Sequence, residues 1–316
     1  MEVKPPYISI CIPAYRNVMH LQRLLASVAT QTFTDYEIVI TDDSPDDSVK
    51  ELVTSFAFTR PVRYVKNLVS LGSPENWNES IRQAAGIWIK LMHNDDWLAS
   101  PDALDIFVKT AAQHPSVRFF FSAFCNITES NGHRQEVRCN TWDRIFMRVS
   151  PLHLFKRVYV GNPSCTFIRN DIGLLYDRRL KFVVDFEYYI RCIRQEKKYQ
   201  YIDQILVNVG FHQEQVTGYT KYAPSVQIPE NVLLLEKFGT RILRNPFVYD
   251  YYWRLIRNLK IRSVEEAQEY SDAPLPYLLQ ALIHKQVKVS PGLLNRGVFS
   301  KLLMSGSYIL DFFKKR

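Results

Sequence analysis

The stretch that decides the fold is Gly86-Ile87-Trp88-Ile89-Lys90-Leu91-Met92-His93-Asn94-Asp95-Asp96. Its apolar run predicts a buried parallel strand, and open α/β sheets bind ligands at the carboxyl ends of such strands. Adjacent carboxylates repel each other unless a cation or hydrogen bonds separate them, and Mg²⁺ or Mn²⁺ suits carboxylates together with phosphate oxygens. The stretch therefore predicts a ligand site. The alternative is a solvated turn in which an aspartate caps the next helix.

Three strands are predicted upstream of this stretch, at residues 7–12, 36–41 and 61–65, with helices between them. The third helix should turn Trp77 and Ile81 inward, because they share one helical face. Four strands alternating with three helices predict a parallel α/β sheet with right-handed crossovers. Neither GxGxxG nor GxxxxGK[ST] is present, so we expect a metal ion rather than a glycine-rich loop to handle phosphates.

The rest of the chain is less regular and then helical. Residues 117–124, 164–168 and 199–209 are predicted strands, residues 125–141 a loop or hairpin, and residues 185–194 a helix. After Pro224 the pattern is helical throughout. The chain is thus predicted to form one α/β domain followed by a helical extension.

Composition excludes several classes of protein. Hydrophobic residues make up 47% and charged residues 23% of the 316 residues, which is typical of a globular chain with a large core. The five cysteines are widely spaced without a CxxC pair, which argues against a disulfide framework and a zinc site. No apolar run is long enough for a membrane span or a signal peptide. We therefore expect a cytoplasmic protein.

The basic excess is concentrated at the C-terminus. Residues 285–316 carry +6 of the formal net charge of +8, and they include the adjacent cations Lys314, Lys315 and Arg316. Apolar residues interleave with these cations, which predicts an interfacial helix at the inner face of an anionic membrane. A helix packed on its own domain with a solvated basic face is the alternative. Nucleic-acid binding is not expected, because no recognition motif is present.

Six motifs in order give a family resemblance. They are Ile12-Pro13-Ala14-Tyr15-Arg16, Asp42-Asp43-Ser44, Asn78 before Gly86, Asp95-Asp96, Asp185 with Arg191, and His212 with Thr217. In this order the chain resembles the family 2 inverting glycosyltransferases of the GT-A fold over residues 7–220. The resemblance implies a Rossmann-like, mostly parallel sheet in a domain spanning 1–222. Its nucleotide-binding half would be 1–124 and its acceptor-binding half 125–222, with a helical region at 223–316.

The resemblance also implies a donor site. The Pro-Ala-Tyr turn would hold the nucleotide base, with Tyr15 offering a ring face, although a packed loop aromatic is the alternative. Asp42 or Asp43 would accept a hydrogen bond from the base or the ribose. The alternative is that these side chains only cap a helix or stabilise the turn. The implied donor contacts are Pro13, Ala14, Tyr15, Arg16, Asp42, Asp43, Asn78 and Asp95.

A divalent cation, Mn²⁺ or Mg²⁺, is implied at the acidic pair. The matching family motif assigns the ion to Asp96 and the ribose to Asp95. His212 matches a position that approaches the metal or the diphosphate, with a structural histidine as the alternative. His93 stands where the family usually has another aspartate, and we expect it to line the pocket rather than to bind the ion.

Asp185 matches the family's catalytic base. Inverting transfer is a single displacement, so one carboxylate must take the acceptor's proton while the metal stabilises the departing diphosphate. Val184 replaces the glutamate that often precedes this base. Asn162 and Arg191 are expected at the acceptor or diphosphate, although Arg191 would serve equally well in an ion pair.

These observations predict an inverting, metal-dependent glycosyltransferase. It would move a sugar from a nucleoside diphosphate, expected to be UDP, to a saccharide or lipid-linked saccharide acceptor in surface polysaccharide synthesis. One alternative is a sugar-nucleotide nucleotidyltransferase, which shares the architecture. The other is a membrane-associated binding or scaffold protein that has lost catalysis.

Overall fold

The computed structural model describes residues 4–212, 218 and 220–313. Thr217 and the basic residues Lys314, Lys315 and Arg316, singled out above, lie outside this range. The chain forms two compact units. The first unit comprises Met1–Arg148, Tyr159–Arg178 and Tyr188–Gln213, and the second comprises Val149–Val158, Arg179–Glu187 and Glu214–Arg316.

The strands of the described chain form one nine-stranded sheet in the first unit, in the order β3-β2-β1-β4-β8-β6-β9-β5, with β7 paired to β6. In chain order they are β1 (Ile8–Ala14), β2 (Tyr36–Asp42), β3 (Val62–Lys66), β4 (Trp88–Leu91), β5 (Trp97–Leu98), β6 (Phe119–Thr128), β7 (His133–Val137), β8 (Thr166–Arg169) and β9 (Gln200–Phe211).

The predicted parallel arrangement is confirmed for the first four strands. β1 lies between β2 and β4, and β2 pairs with β3, all in parallel. The other half is mixed, because β8 is antiparallel to both β4 and β6 while β9 runs parallel to β6. β6 and β7 form a hairpin, one of the two forms expected for residues 125–141.

Six helices accompany the sheet along the described chain. They are α1 (Val18–Ala29), α2 (Ser48–Ser55), α3 (Glu75–Arg82), α4 (Ala103–Gln113), α5 (Thr141–Val149) and α6 (Val184–Glu196), the last starting in the second unit. α1 buries Leu21, Leu24, Leu25 and Val28 in the core formed with the strands, as its helical spacing predicts.

The inner face of α3 differs from the prediction. Trp77 and Ile81 are only partly buried, while Asn76, Asn78 and Ser80 are buried. The physical reason is hydrogen bonding: Asn76 donates to the Ala14 and Thr41 carbonyls, and Asn78 pairs with the Tyr176 backbone. Buried amides that find such partners are tolerated in place of apolar groups.

The second unit is helical after Pro224, as predicted. Its helices are α7 (Pro224–Phe238), α8 (Pro246–Leu259), α9 (Val264–Gln268), α10 (Tyr277–Val287), α11 (Pro291–Leu294) and α12 (Gly297–Phe312). Aromatic residues of α8, including Tyr249, Tyr252 and Trp253, form much of its core. Among the described helices, none combines the length and apolarity that crossing a bilayer requires.

The terminal helix α12 contacts the second unit along one narrow face. Ser300, Met304 and Ser307 are buried, and Trp253 Nε1 donates to Ser300 Oγ at 3.1 Å. The remaining faces expose apolar side chains, among them Val298, Phe299, Leu302, Ile309, Leu310 and Phe313. α12 therefore packs on its own unit and still presents an apolar surface to solvent.

Candidate active site

The turn after β1 presents a half-exposed aromatic ring. Arg16 and Asn17 both have positive φ, at 51° and 44°, and the Arg16 amide donates to Ser44 Oγ at 2.7 Å. This turn leaves 49% of Tyr15 exposed, with the Arg16 guanidinium 5.1 Å from its ring centroid. Pro13 and Ala14 are buried within β1. Among the residues of this turn, Tyr15 is thus well placed to offer a ring face to a ligand.

The two aspartates at the carboxyl end of β2 are buried and accept hydrogen bonds from protein groups. Asp42 accepts hydrogen bonds from the Ser44 amide, the Tyr64 hydroxyl and the Lys66 ammonium at 2.7–2.9 Å. Asp43 accepts from the Asn67 and Ser70 side chains and from the Leu71 and Gly72 amides, at 2.7–2.9 Å. Asp43 therefore holds the loop at residues 67–72.

The ionisation of Asp43 follows from these contacts. Burial alone would raise its pKa, but the Leu71 and Gly72 amides and the Asn67 and Ser70 side chains outweigh that effect. The pKa of Asp43 is consequently held below its usual range. The expected contact of Asp42 or Asp43 with base or ribose competes with these internal bonds. Asn78, also expected to contact the donor, is likewise buried and tied to Tyr176.

Asp95 and Asp96 follow β4 and have different surroundings. Asp96 is fully buried, and its carboxylate accepts from Asn162 Nδ2 at 2.6 Å and from the Gly210 amide at 3.1 Å. Asp95 is partly exposed, and its Oδ2 lies 3.1 Å from His212 Nε2. The two adjacent carboxylates therefore face different partners, one internal and one at the edge of the site.

The close approach of β9 to this turn depends on a glycine. A Cβ on Gly210 would lie 2.4 Å from the Asp95 carbonyl oxygen, so any side chain would push the strand away. The same carbonyl oxygen accepts from Arg23 Nη2 at 2.8 Å. Gly210 and Arg23 thus fix the backbone of Asp95 and bring His212, two residues beyond Gly210, next to its carboxylate.

The protonation of Asp96 reflects its burial. Desolvation, and secondly the charge of Asp95, raise the pKa of Asp96 well above its usual range, while hydrogen bonds from Ser164, Asn162 and Gly210 oppose the shift. A bound cation would favour the ionised form of both carboxylates.

His93 lies beside the acidic pair. Ligand atoms of His93, Asp95 and Asp96 lie within 4.8 Å of one another. The His93 Nε2 atom is buried without a hydrogen-bond partner among the described residues, and burial lowers the pKa of the ring, which keeps it neutral. Its ring packs against Trp77 at 4.5 Å. A neutral imidazole with an unused buried nitrogen fits a metal ligand.

A second layer of side chains surrounds Asp95 and His212. Glu129 lies 3.0 Å from His20 Nε2 and accepts from Arg23 Nη2 at 2.8 Å. The His20 ring is 5.0 Å from the His212 ring, and the Arg23 guanidinium stacks 3.8 Å from the Trp97 ring. Sequence reasoning missed this layer. The only indication in the sequence was the three-residue spacing of His20 and Arg23, which places both side chains on one face of α1.

Asn162 enters the site on a strained turn. Gly161 has φ 84°, and a Cβ there would lie 2.7 Å from Phe124 and 2.8 Å from Cys165 Sγ, so this position requires glycine. The following Asn162 binds Asp96 as described. Nearby, Lys90 of β4 is fully buried and donates to the Ser164 carbonyl. Burial lowers the pKa of Lys90 to about 8, although Cys165 and Asp96 oppose this.

Asp185 stands in the first turn of α6, in the second unit. Its Oδ1 atom is buried and has no hydrogen-bond partner among the described residues. Burial raises the pKa of Asp185 to about 7. A carboxylate with this pKa takes up a proton readily near neutral pH, as a general base must.

A glutamate of α7 organises the chain that leads into Asp185. Glu230 is buried and accepts from three consecutive amides, those of Lys181, Phe182 and Val183, at 2.7–3.0 Å. From the same helix, Lys237 Nζ lies 2.5 Å from the buried Glu187 carboxylate. Neither contact could be predicted from local sequence patterns, because both join positions that are far apart in the chain.

Arg191 contacts protein backbone. Its Nη2 donates to the Leu175 carbonyl at 2.7 Å, and its guanidinium lies 5.4 Å from the Tyr188 ring. These contacts place Arg191 against the segment around Leu175 in the first unit.

The profile of "Glycosyl transferase family 2" matches residues 9–172, which is more than half of the chain. The chain belongs to this family. This family 2 transferase is 24% identical to an uncharacterized glycosyltransferase of Methanocaldococcus jannaschii over 211 residues, 65% of this chain and 71% of that protein. It is 34% identical over 103 residues to an abequosyltransferase of Salmonella typhimurium, covering 31% of each chain. It is 32% identical over 136 residues to chondroitin synthase of Escherichia coli, 40% of this chain and 19% of that one.

Solved structures share the fold of this family 2 transferase. S. aureus TarS 1-349 in complex with UDP-GlcNAc has a TM-score of 0.63 at 14% identity, covering 95% of this chain and 89% of that one. The mannosyltransferase from Pyrobaculum calidifontis in complex with GDP-Man and Mn²⁺ has a TM-score of 0.54 at 14% identity, covering 99% and 89%. The expected GT-A fold with C-terminal helices is thereby confirmed.

Proposed function

We propose that this family 2 transferase is an inverting, metal-dependent enzyme that moves a sugar from a nucleoside diphosphate, most simply UDP, to an acceptor. The acceptor would be a saccharide or lipid-linked saccharide in surface polysaccharide synthesis. Two similarities support the acceptor class, namely those to chondroitin synthase and to the abequosyltransferase. The structural neighbours in complex with UDP-GlcNAc and with GDP-Man and Mn²⁺ support a nucleotide-sugar donor and a divalent ion.

The observation that carries the proposal is the spacing of Asp95 and His212. A carboxylate oxygen and a neutral imidazole nitrogen that lie side by side would be able to hold one divalent ion together. Asp95 Oδ2 and His212 Nε2 are hydrogen-bonded at 3.1 Å, and His93 Nε2, which has no hydrogen-bond partner among the described residues, lies in the same cluster as Asp95. The donor set fits Mn²⁺ better than Mg²⁺, since imidazole nitrogen is a poor ligand for Mg²⁺.

This spacing suggests a change in the roles expected for the acidic pair. The family match gave the ion to Asp96, but both Asp96 oxygens already accept hydrogen bonds inside the protein. We therefore assign direct contact to Asp95, His212 and His93, with Asp96 supplying a second negative charge and holding Asn162. When bound, the ion would neutralise the charge that develops on the departing diphosphate.

Other residues of the first unit would hold the donor. Tyr15 would stack on the nucleotide base, since its ring is half exposed and is fixed by the turn at Arg16 and Asn17. Asp43 would act indirectly by ordering the loop at residues 67–72. A preformed loop lowers the entropic cost of binding a nucleotide.

Asp185 is the proposed general base. Its burial gives it the pKa of about 7 that proton abstraction from a sugar hydroxyl near neutral pH requires, and within the described part of the chain nothing hydrogen-bonds to its Oδ1. Inverting transfer needs one such carboxylate, so the valine at position 184 leaves the mechanism complete. Glu187 is excluded from this role because it is buried and paired with Lys237.

Attachment to the inner face of the membrane is proposed through α12. Its exposed Phe299 and Leu302, the exposed Phe313 at its C-cap, and Lys301 have the composition of an interfacial helix. Substitution of these three apolar residues by serine should reduce sedimentation with anionic vesicles. Unchanged sedimentation would exclude α12 as an anchor.

The experiment that tests the proposal measures product release from UDP-glucose, UDP-GlcNAc, GDP-mannose and dTDP-glucose with Mn²⁺ and mixed p-nitrophenyl glycoside acceptors. We expect nucleoside diphosphate release from one donor class and an inverted anomeric configuration in the product. Asp185→Asn should abolish transfer, while Asp171→Asn, at an exposed site, should not. Pyrophosphate formation from a sugar phosphate and a nucleoside triphosphate would instead indicate the nucleotidyltransferase alternative.

A further inference from the structure

Helix α5 (Thr141–Val149) carries its apolar face outward. Trp142, Ile145 and Phe146 are 69%, 44% and 42% exposed, and their spacing places them on one face of the helix. The residues turned toward the protein are Asp143 and Met147, which are buried. A helix that packs on a core normally buries its apolar face, so this helix is turned the other way round.

Specific contacts fix this orientation. Asn140 Nδ2 donates to the Asp143 carboxylate at 2.6 Å, and the Asp143 amide donates to Asn140 Oδ1 at 2.8 Å. The carbonyl of the next residue, Arg144, accepts a hydrogen bond from the hydroxyl of Tyr199, which directly precedes β9. The outward apolar face is therefore built into the fold of the first unit.

The charged residues on α5 are cationic wherever they are accessible. Arg148 is exposed and Arg144 is partly exposed, whereas the helix's acidic residue, Asp143, is buried. An apolar face with tryptophan and phenylalanine, flanked by arginine, is the composition of a helix lying in the interface of an anionic bilayer. This charge pattern selects an anionic surface over a neutral one.

The size of the face argues against a protein partner. Together with Val149 of the same helix, which is 80% exposed, these side chains offer on the order of 400 Å², whereas a stable protein interface needs about 800 Å² on each partner. Binding to a bilayer does not require a large complementary surface, because the transfer of each side chain out of water contributes its own favourable free energy.

We propose that α5 is a membrane-contact element, with Trp142, Ile145 and Phe146 inserted among the headgroups of an anionic phospholipid bilayer. Arg148 would pair with lipid phosphates. The proposal concerns a surface of the first unit, and it depends neither on catalysis nor on the α12 anchor. It would hold the catalytic domain itself against the surface where lipid-linked molecules are found.

The test is co-sedimentation of the full chain with vesicles of phosphatidylcholine alone and with about 30% phosphatidylglycerol, a fraction that gives a strongly negative surface. The probe variant is Trp142→Ser with Phe146→Ser, and the matched control is Met19→Ser, at an exposed apolar residue of α1. Thermal unfolding of each variant checks that the fold is intact. A second readout is quenching of tryptophan fluorescence by brominated lipid in the wild type and in Trp142→Phe.

We expect the probe variant to lose roughly tenfold or more in partitioning to anionic vesicles, with the Met19 control unchanged. Arg148→Gln should weaken binding to anionic vesicles but not to neutral ones. Brominated lipid should quench less in Trp142→Phe than in the wild type. Equal partitioning of the probe variant and wild type would overturn the proposal. So would a wild-type dimer that becomes a monomer in the probe variant, because the face would then meet a second copy.

Discussion

His212 Nε2 lies 3.1 Å from Asp95 Oδ2, although the two residues come from the end of β9 and the turn after β4. Gly210 permits this approach, because only a residue without a side chain fits beside the Asp95 carbonyl. Arg23 then holds the same carbonyl from α1. The cluster proposed to bind the ion is therefore assembled by backbone contacts as well as by its own side chains.

Removal of the His212 side chain should weaken binding of the divalent ion. His212→Ala is expected to lower the affinity for Mn²⁺ by roughly tenfold or more, since a direct ligand is lost. Isothermal titration with Mn²⁺ in the presence of UDP would measure it. His133→Ala, at an exposed histidine of β7, is the matched control and should behave as wild type. Equal affinity in both variants would remove His212 from the ligand set.

The burial of Asp96 predicts that ion binding depends on pH. Because burial and the neighbouring Asp95 raise its pKa, Asp96 keeps its proton to a higher pH than an exposed aspartate does, and a cation must displace that proton. Affinity for Mn²⁺ should therefore rise between pH 6 and pH 8, with proton release visible as a buffer-dependent enthalpy. Asp96→Asn should flatten this dependence. A pH-independent affinity in the wild type would show that Asp96 is already ionised.

The pKa of Asp185 predicts both an activity profile and a stability effect. Transfer should rise with pH through about 7, as the base loses its proton. The folded state binds this proton more tightly than the unfolded chain, so Asp185 costs stability as pH rises from about 4 to about 7, by at most about 1.4 kcal/mol per unit. Asp185→Asn should thus raise the melting temperature more at pH 8 than at pH 5. The opposite order would contradict a raised pKa.

Glu230 should be needed for stability and for the placement of Asp185. Glu230→Ala leaves the amides of Lys181, Phe182 and Val183 without their acceptor, which should cost about 2–4 kcal/mol. Urea unfolding would measure the loss. Glu236→Ala, at an exposed position of the same helix, is the control and should be nearly neutral. A loss below about 0.5 kcal/mol would show that water replaces the carboxylate.

Much of the fold was predictable because it follows from local patterns. Apolar residues recur with the period of one type of secondary structure in the first four strands, in the helices between them and in the region after Pro224. The mixed half of the sheet was not predictable, because the direction of β8 and β9 depends on pairing between distant segments. No helix was predicted at residues 141–149, and its apolar spacing alone could not have indicated the packing, because the apolar face of α5 is exposed.

The part of the candidate site that could be predicted consists of residues whose side-chain chemistry and place in a sequence motif both point to ligand binding. Asp95, Asp96 and His212 come together in the first unit, and Asn162 joins them by binding Asp96. The different surroundings of Asp95 and Asp96 could not be foreseen, since the partners of Asp96 are supplied by residues far along the chain. The same holds for Arg23 and Glu230, whose contacts span 72 and 47–49 residues.

The central claim is that a nucleoside diphosphate and a divalent ion bind together at Asp95. The most direct measurement is the thermal stability of wild type and Asp95→Ala with UDP, GDP, CMP or dTDP, each with and without Mn²⁺. At about a hundred times its dissociation constant, a bound nucleotide should add about 2.7 kcal/mol of stability. We predict that one nucleotide stabilises the wild type only with Mn²⁺ and leaves Asp95→Ala unchanged. No stabilisation by any nucleotide, or equal stabilisation of the variant, would contradict the account.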